Sequence, residues 1–376
     1  MKRLIAVLLA VSCLTPAAAA LTGGPQVDAA AALLMEKETG TILYEKNAHA
    51  KLEPASVTKV MTMLLIMEAL EDGRITMEDK VTVSKHAASM GGSQVYLEEG
   101  EQMSTHEMLK AIAVASGNDA SVAMAEHIAG SESGFVEMMN AKAAELGMND
   151  STFMNCTGLP AQGHVTSAYD IAIMSRALLH YPKIKEYTTI WMDSLRDGAF
   201  GLANTNKLIR FYEGATGLKT GSTDAALYCL AASAQREGME LIAVILKSPT
   251  SAVRFEGATA LLNFGFANYA MMDVYPNEAL PPVEVLLGTE RYVQPEIARS
   301  SRILIDKADK GKVSTSIQLV DNVEAPVDQG QKLGTMTVTV DGKTRESIPI
   351  VAGEAVARLT APGIFKRFVD ILLMNR

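Results

Sequence analysis

Two groups of apolar, strand-like runs enclose a long helical stretch, and this arrangement restricts the folds open to the chain. Ala29 to Met35 and Thr41 to Glu45 flank the turn Glu38-Thr39-Gly40 and predict a β-hairpin. Far downstream, Lys219 to Ala234 and Leu241 to Leu246 read as consecutive strands around an Arg236-Glu237-Gly238 turn. The intervening segments carry helix signals. Pro54-Ala55 leads into a long apolar helix from Ser56 to Leu70, ended near Gly73. Ser104 with Glu107, and Ser167 with Asp170, have the spacing of capping boxes, the second ahead of a helix to about Leu179. Asn118 to Ala129 and Gly134 to Leu146 predict two more helices, and Val253 to Phe264 closes the region with another. Strands at both ends and helices between suit an α/β (α+β) domain in which the first and last strands share one antiparallel sheet, with a helical lobe on one side.

The 376 residues predict more than one domain. The texture changes near Tyr275-Pro276, dividing a main domain, 21–275, from a β-rich C-terminal domain, 276–360. In the latter, Val283–Leu287, Ser301–Ile305, Ser314–Val320, Thr335–Val340 and Ile348–Val351 read as short strands, with Asp341-Gly342 the clearest turn. After Pro362-Gly363, Ile364, Phe365, Phe368, Val369, Leu372 and Leu373 recur on one helical face, and Lys366, Arg367 and Asp370 take the other. Residues 361–376 therefore predict an amphipathic helix that either lies on a membrane surface or docks onto the protein itself.

The N-terminus has the layout of a secretion signal over residues 1–20: basic Lys2-Arg3, an apolar run from Leu4 to Leu14, a break at Thr15-Pro16, then small residues to Ala20. That run is too short to span a bilayer, so the chain is expected to be exported. Cys156 and Cys229 would be the only thiols left, too few for a disulfide framework. No Cys/His cluster has zinc-ligand spacing, so no metal is expected. A formal net charge of −9 argues against a nucleic-acid partner, which needs a clustered basic face.

Three short motifs carry candidate chemistry. In Ser56-Val57-Thr58-Lys59 a helix would bring Lys59 to the face of Ser56, one turn on. A serine hydroxyl needs an adjacent base, and a lysine serves once burial or a neighbouring cation depresses its pKa. Ser116-Gly117-Asn118 lies between two predicted helices, where both polar residues also suit an ordinary N-cap. Lys219-Thr220-Gly221 opens a predicted strand; its lysine would attract a substrate carboxylate and help keep Lys59 neutral, and its glycine would let an extended substrate lie close.

Each motif occurs once, in this order, and the set marks penicillin-binding proteins and serine β-lactamases. With Pro54 to Lys59, Met61-Thr62-Met63, Ser116-Gly117-Asn118-Asp119-Ala120, Asn155-x-x-Gly158-Leu159 and Gly217 to Thr223, the chain resembles low-molecular-mass penicillin-binding proteins of the serine-type D-alanyl-D-alanine carboxypeptidase family. The β-rich second domain and terminal amphipathic helix match that family's layout too. The resemblance implies a penicillin-recognising fold and a peptidase that removes terminal D-alanine from peptidoglycan stem peptides. Ser56 would be acylated, Lys59 would accept its proton, and Ser116 and Asn118 would line the helical side of the cleft. Lys219, Thr220, Gly221 and Ser222 would line the strand side, with the Ser56 and Ser222 N–H groups as the oxyanion hole. Arg254 would help hold the terminal carboxylate. No cofactor is implied, β-lactams are the expected acylating inhibitors, and the terminal helix would hold the enzyme on the outer face of the cytoplasmic membrane.

Two positions depart from the family: Val57 stands where Leu or Met is commoner, and Thr205 lies where some members carry an arginine. The motifs alone also fit a serine β-lactamase, a D,D-endopeptidase or a non-catalytic peptidoglycan or β-lactam sensor. The extra domain and helix favour the carboxypeptidase.

Overall fold

The computed structural model describes residues 24–298 and 302–374; the expected secretion signal, including Cys13, lies outside the described residues. A five-stranded antiparallel sheet runs in the order Ile42–Lys46, Ala31–Glu36, Met239–Ser248, Leu227–Arg236, Ala215–Thr223. The first strand of the chain thus pairs with the last of this domain, Leu33 facing Val244. Both faces of the sheet are covered, which explains why its central strands read as continuous apolar runs rather than alternating ones. Ala31, Leu33 and Met35, with Ile242, Val244 and Leu246, face the helical lobe. Ala32, Leu34, Leu241, Ala243 and Ile245 face the helix Ser251–Asn268. Each Leu or Ile sealed in this way contributes roughly 1.5–3 kcal/mol.

The stretch read as one strand from Lys219 to Ala234 is two. The chain turns over at Asp224–Ala226, where Thr223 Oγ1 accepts the Ala226 N–H at 3.0 Å, and Ser222 then pairs with Tyr228. The turn was masked because Ala225 and Ala226 continue the apolar pattern without a glycine or proline.

At the centre of the helical lobe is Lys59–Glu71, in which every residue from Lys59 to Met67 is buried. A helix apolar all round is a core helix. It is preceded by a 3-10 turn, Ala55–Thr58, so Ser56 sits in a tighter turn just ahead of the α-helix that was expected to start there. The helix Thr105–Ala115 opens with the full capping box of Ser104 and Glu107. At Ser167 only half the box forms: its hydroxyl accepts the Asp170 N–H, while the Asp170 carboxylate accepts from Asp150 N–H and the Ser151 hydroxyl.

Beyond Asn268 the chain is β-rich. The strand Tyr269–Asp273 pairs with Arg302–Asp306, and a four-stranded antiparallel sheet runs Pro295–Ile297, Lys343–Ala352, Lys332–Val340, Val313–Leu319. Met336, Val338, Ile348 and Ile350 fill its core. Asp341 and Gly342 both have positive φ, as a two-residue hairpin turn requires. The helix Ala361–Met374 follows with its apolar side uncovered: Phe365 is 69% and Leu373 67% exposed, so it does not dock onto the protein surface. No helix among the described residues is long and apolar enough to cross a membrane.

Candidate active site

Ser56 is presented by a strained turn. Ala55, immediately before it, has φ +49, a conformation that a side chain resists. The Ala55 carbonyl accepts the Thr58 hydroxyl at 2.8 Å. Thr58 in turn meets His164 Nε2 at 2.9 Å, and His164 Nδ1 accepts the Met154 N–H at 3.2 Å. That bond leaves the proton on Nε2, so His164 donates to Thr58 and Thr58 donates to Ala55. Burial lowers the His164 pKa to about 4, keeping the ring neutral. Gly158, at φ +85, faces the Ala55 carbonyl so closely that a Cβ has no room.

Lys59 Nζ lies 3.2 Å from Ser56 Oγ, 2.6 Å from Asn118 Oδ1 and 2.7 Å from the Thr157 carbonyl oxygen. The side chain is wholly buried, and desolvation is the chief reason its pKa falls to about 7. Of the two acidic groups close enough to oppose this, the Cys156 thiol is itself pushed well upward by burial and by Glu132, so it stays neutral. The other, Asp119, raises the Lys59 pKa by less than burial lowers it, and its carboxylate accepts the N–H groups of Val95, Leu97 and Ala120. The amine can therefore lose its proton near neutral pH.

Ser116 and Asn118 stand at the helix junction. Ser116 adopts φ +64 at the end of Thr105–Ala115, and its buried hydroxyl has no hydrogen-bond partner among the described residues. Asn118 is fixed at both ends of its amide: Oδ1 on Lys59 and Nδ2 donating to the Gly91 carbonyl at 2.7 Å. Gly92 at φ +78 would drive a Cβ to 2.8 Å from that nitrogen, so the loop before Val95 fits only around this side chain.

The strand Ala215–Thr223 is an edge of the sheet and carries the third motif. An ideal Cβ on Gly221 would lie 2.8 Å from Ser56 N, which shows how closely this strand passes the serine. Lys219 is buried, and desolvation, reinforced by the charges of Lys59 and Arg254, lowers its pKa well below the ordinary value. Its Nζ donates to the Thr220 carbonyl at 3.0 Å. Thr220 Oγ1 is 2.6 Å from Thr205 Oγ1, which brings Thr205 against the third motif. Arg254 Nη1 donates to the carbonyls of Gly221 and Cys229 at 3.0 and 3.1 Å, bracing the motif strand from the side of the helix Ser251–Asn268.

The fold therefore brings Ser56, Lys59 and Asn118 into one bonded cluster, lays Gly221 against it, and puts Arg254 on the strand's backbone. Sequence reading did not single out Thr58, His164 or the Thr157 carbonyl. The last is a backbone group, which no side-chain pattern reveals. Cys156 and Cys229 are both buried and unpaired. Among the described residues no group of His, Cys, Asp and Glu could hold a metal ion.

Residues 17–250 match the family model described as D-alanyl-D-alanine carboxypeptidase, and residues 271–358 match that of the penicillin-binding protein 5 C-terminal domain. The chain is 47% identical over 367 residues to the D-alanyl-D-alanine carboxypeptidase DacF of Bacillus subtilis (strain 168), covering 94% of each. Penicillin-binding protein 5 from Haemophilus influenzae superposes with a TM-score of 0.77 at 30% identity, covering 89% of this chain and 99% of that one. Ampicillin-bound penicillin-binding protein D2 from Listeria monocytogenes superposes with a TM-score of 0.59 at 30% identity, over 64% of this chain and 98% of that one. With these matches spanning both domains and the three motifs, the chain belongs to the D-alanyl-D-alanine carboxypeptidase family of serine peptidases.

Proposed function

We propose that this protein is an exported serine-type D-alanyl-D-alanine carboxypeptidase that trims the terminal D-alanine from peptidoglycan stem peptides. The observation that carries this reading is the buried Lys59 amine, 3.2 Å from Ser56 Oγ, with its pKa lowered to about 7. Such a base is half deprotonated near neutral pH, where general-base catalysis is most effective. The substrate lies extended along the open edge of Ala215–Thr223, its terminal carboxylate toward Lys219 and Thr220. Ser56 Oγ attacks the penultimate D-alanine carbonyl as its proton passes to Lys59. The resulting oxyanion is held by the N–H groups of Ser56 and Ser222. Collapse breaks the peptide bond, and Ser116 relays a proton from Lys59 to the departing amine, releasing free D-alanine. Water, deprotonated by Lys59, then hydrolyses the Ser56 ester and regenerates the enzyme. A β-lactam enters the same sequence because its amide offers a carbonyl and a nearby carboxylate.

Arg254 serves this reading through the strand: its bonds to the Gly221 and Cys229 carbonyls brace the strand that passes beside Ser56. The uncovered apolar face of Ala361–Met374 supports attachment to a membrane surface. The decisive experiment measures D-alanine released from a D-Ala-D-Ala peptide by wild type and Ser56→Ala, alongside intact-mass detection of a penicillin adduct. Wild type should release D-alanine and form an adduct that persists for minutes, and the variant should do neither. Substantial release by the variant overturns the assignment, and adduct turnover in under a second would make the chain a β-lactamase.

A further inference from the structure

The Thr157 carbonyl governs where the Lys59 lone pair points. A neutral amine has two N–H donors and one lone pair. Asn118 Oδ1 at 2.6 Å and the Thr157 carbonyl oxygen at 2.7 Å accept the two N–H groups. The lone pair is left for the third neighbour, Ser56 Oγ at 3.2 Å. Were the carbonyl to swing away, the amine could turn an N–H toward Ser56 Oγ instead, and the serine proton would have no acceptor.

Three groups hold the backbone that carries this carbonyl. From within the same loop, Asn155 Oδ1 accepts the N–H groups of Thr157 at 3.2 Å and Gly158 at 2.7 Å. From the core helix, the Thr62 hydroxyl donates to the Cys156 carbonyl at 2.6 Å. The third group lies outside all three motifs: Glu132 Oε1 accepts the Cys156 N–H at 3.2 Å, with the Cys156 thiol 3.4 Å away. Glu132 is the first residue of the helix Glu132–Glu145. A carboxylate there is ordinarily explained by the positive end of its own helix. Here the Ser131 hydroxyl caps the turn through the Gly134 N–H, and both Glu132 oxygens reach other elements, Oε2 meeting His86 Nε2 at 2.9 Å. The Glu132 side chain is 18% exposed, so its bond to the buried Cys156 is largely shielded from water, whereas the pair with the exposed His86 adds little.

We propose that Glu132 is a positioning residue for acyl transfer: by holding the Cys156 N–H it fixes the segment whose next carbonyl, that of Thr157, aims the Lys59 lone pair at Ser56. This rests on the reading of Lys59 as the base and extends it to a residue that touches neither Ser56 nor Lys59. The test measures penicillin acylation by stopped flow across pH 5–9, below the melting temperature of each protein, for wild type, Glu132→Gln, Glu132→Asp and Glu132→Ala. Gln keeps the reach without the charge, and Asp keeps the charge but is one carbon too short. Glu132→Gln should stay within about threefold of wild type, while Glu132→Asp and Glu132→Ala should lose more than about tenfold on the high-pH plateau. In those two the midpoint of the acid limb should also move down by about half a pH unit or more, because the ammonium form loses a charge-assisted acceptor. A merely structural role would lower the melting temperature and leave the plateau and midpoint of the folded protein where they are. Should Glu132→Ala not fold, the contrast between Gln and Asp decides alone. An Asp plateau within about twofold of wild type, an unmoved midpoint, or a Gln variant as slow as Asp overturns the proposal. A wild type that forms no penicillin adduct at any pH would instead sink the acyl-enzyme reading itself.

Discussion

Gly158 is seated against the carbonyl of Ala55, with no space between them for a side chain. One residue is at φ +85 and the other at φ +49, so two left-handed backbones interlock immediately before the nucleophile. Gly158→Ala would add a Cβ that must displace backbone rather than a flexible tip. We expect a loss of at least about 2 kcal/mol of stability, or roughly 5 °C in melting temperature at about 2–4 °C per kcal/mol. Penicillin acylation should fall at least a hundredfold. Normal acylation in this variant would show that the interlock does not set the position of Ser56.

The lowered Lys59 pKa predicts the sign of the pH dependence. Below about 7 the amine is protonated and cannot accept the Ser56 proton, so acylation should fall about tenfold per pH unit there and level off above. Stopped-flow acylation across pH 5–9 reads this directly. A rate that is flat, or that declines with rising pH in this window, would exclude Lys59 as the base.

Asn118 allows that assignment to be perturbed without touching Lys59. Asn118→Asp would place a carboxylate where Oδ1 now lies, 2.6 Å from Nζ, favouring the ammonium form. The acylation profile should move to higher pH by one unit or more, with a lower rate at pH 7. Asn118→Ala should slow acylation about 10²-fold by freeing the amine and orphaning the Gly91 carbonyl. Its profile should move far less.

The chain from His164 through Thr58 to the Ala55 carbonyl predicts coupling between residues that touch no substrate. Thr58→Val keeps the shape but removes the link, at a cost of about 1–3 kcal/mol. His164→Ala should cost a similar amount, and the double variant should cost less than both together. Chemical denaturation of the four proteins supplies the cycle. Strict additivity would show that the two residues act separately.

Removing residues 361–376 should abolish association with anionic lipid vesicles while leaving tripeptide hydrolysis within twofold. Sedimentation with vesicles and a D-alanine assay on the same samples test both parts. Vesicle binding retained by the truncated chain would place the membrane contact elsewhere.

Much of this was legible in the sequence because side chains announced it. Lys59 does reach Ser56, Ser104 does cap with Glu107, and Ala31–Glu36 does meet Met239–Ser248. What escaped notice depends on backbone or on distant partners. The Thr157 carbonyl on Lys59 has no side-chain signature. The pinning of Val95 and Leu97 by Asp119 joins segments more than twenty residues apart. The short ribbons Lys80–Thr82 with Gln102–Ser104, and Met192–Leu195 with Phe200–Ala203, are three or four residues long, too brief for a period to emerge.

The position of Ala215–Thr223 at the rim of the sheet has a consequence for what can enter. An outermost strand offers free backbone groups to any extended partner, which ordinarily invites self-association. Here the turn bearing Ser56 is packed against that rim at Gly221. A folded polypeptide meets that turn before it can pair along the strand, whereas a thin, flexible tether can be laid beside it. Restriction to chain ends would then follow from the architecture of the doorway as much as from recognition of D-alanine.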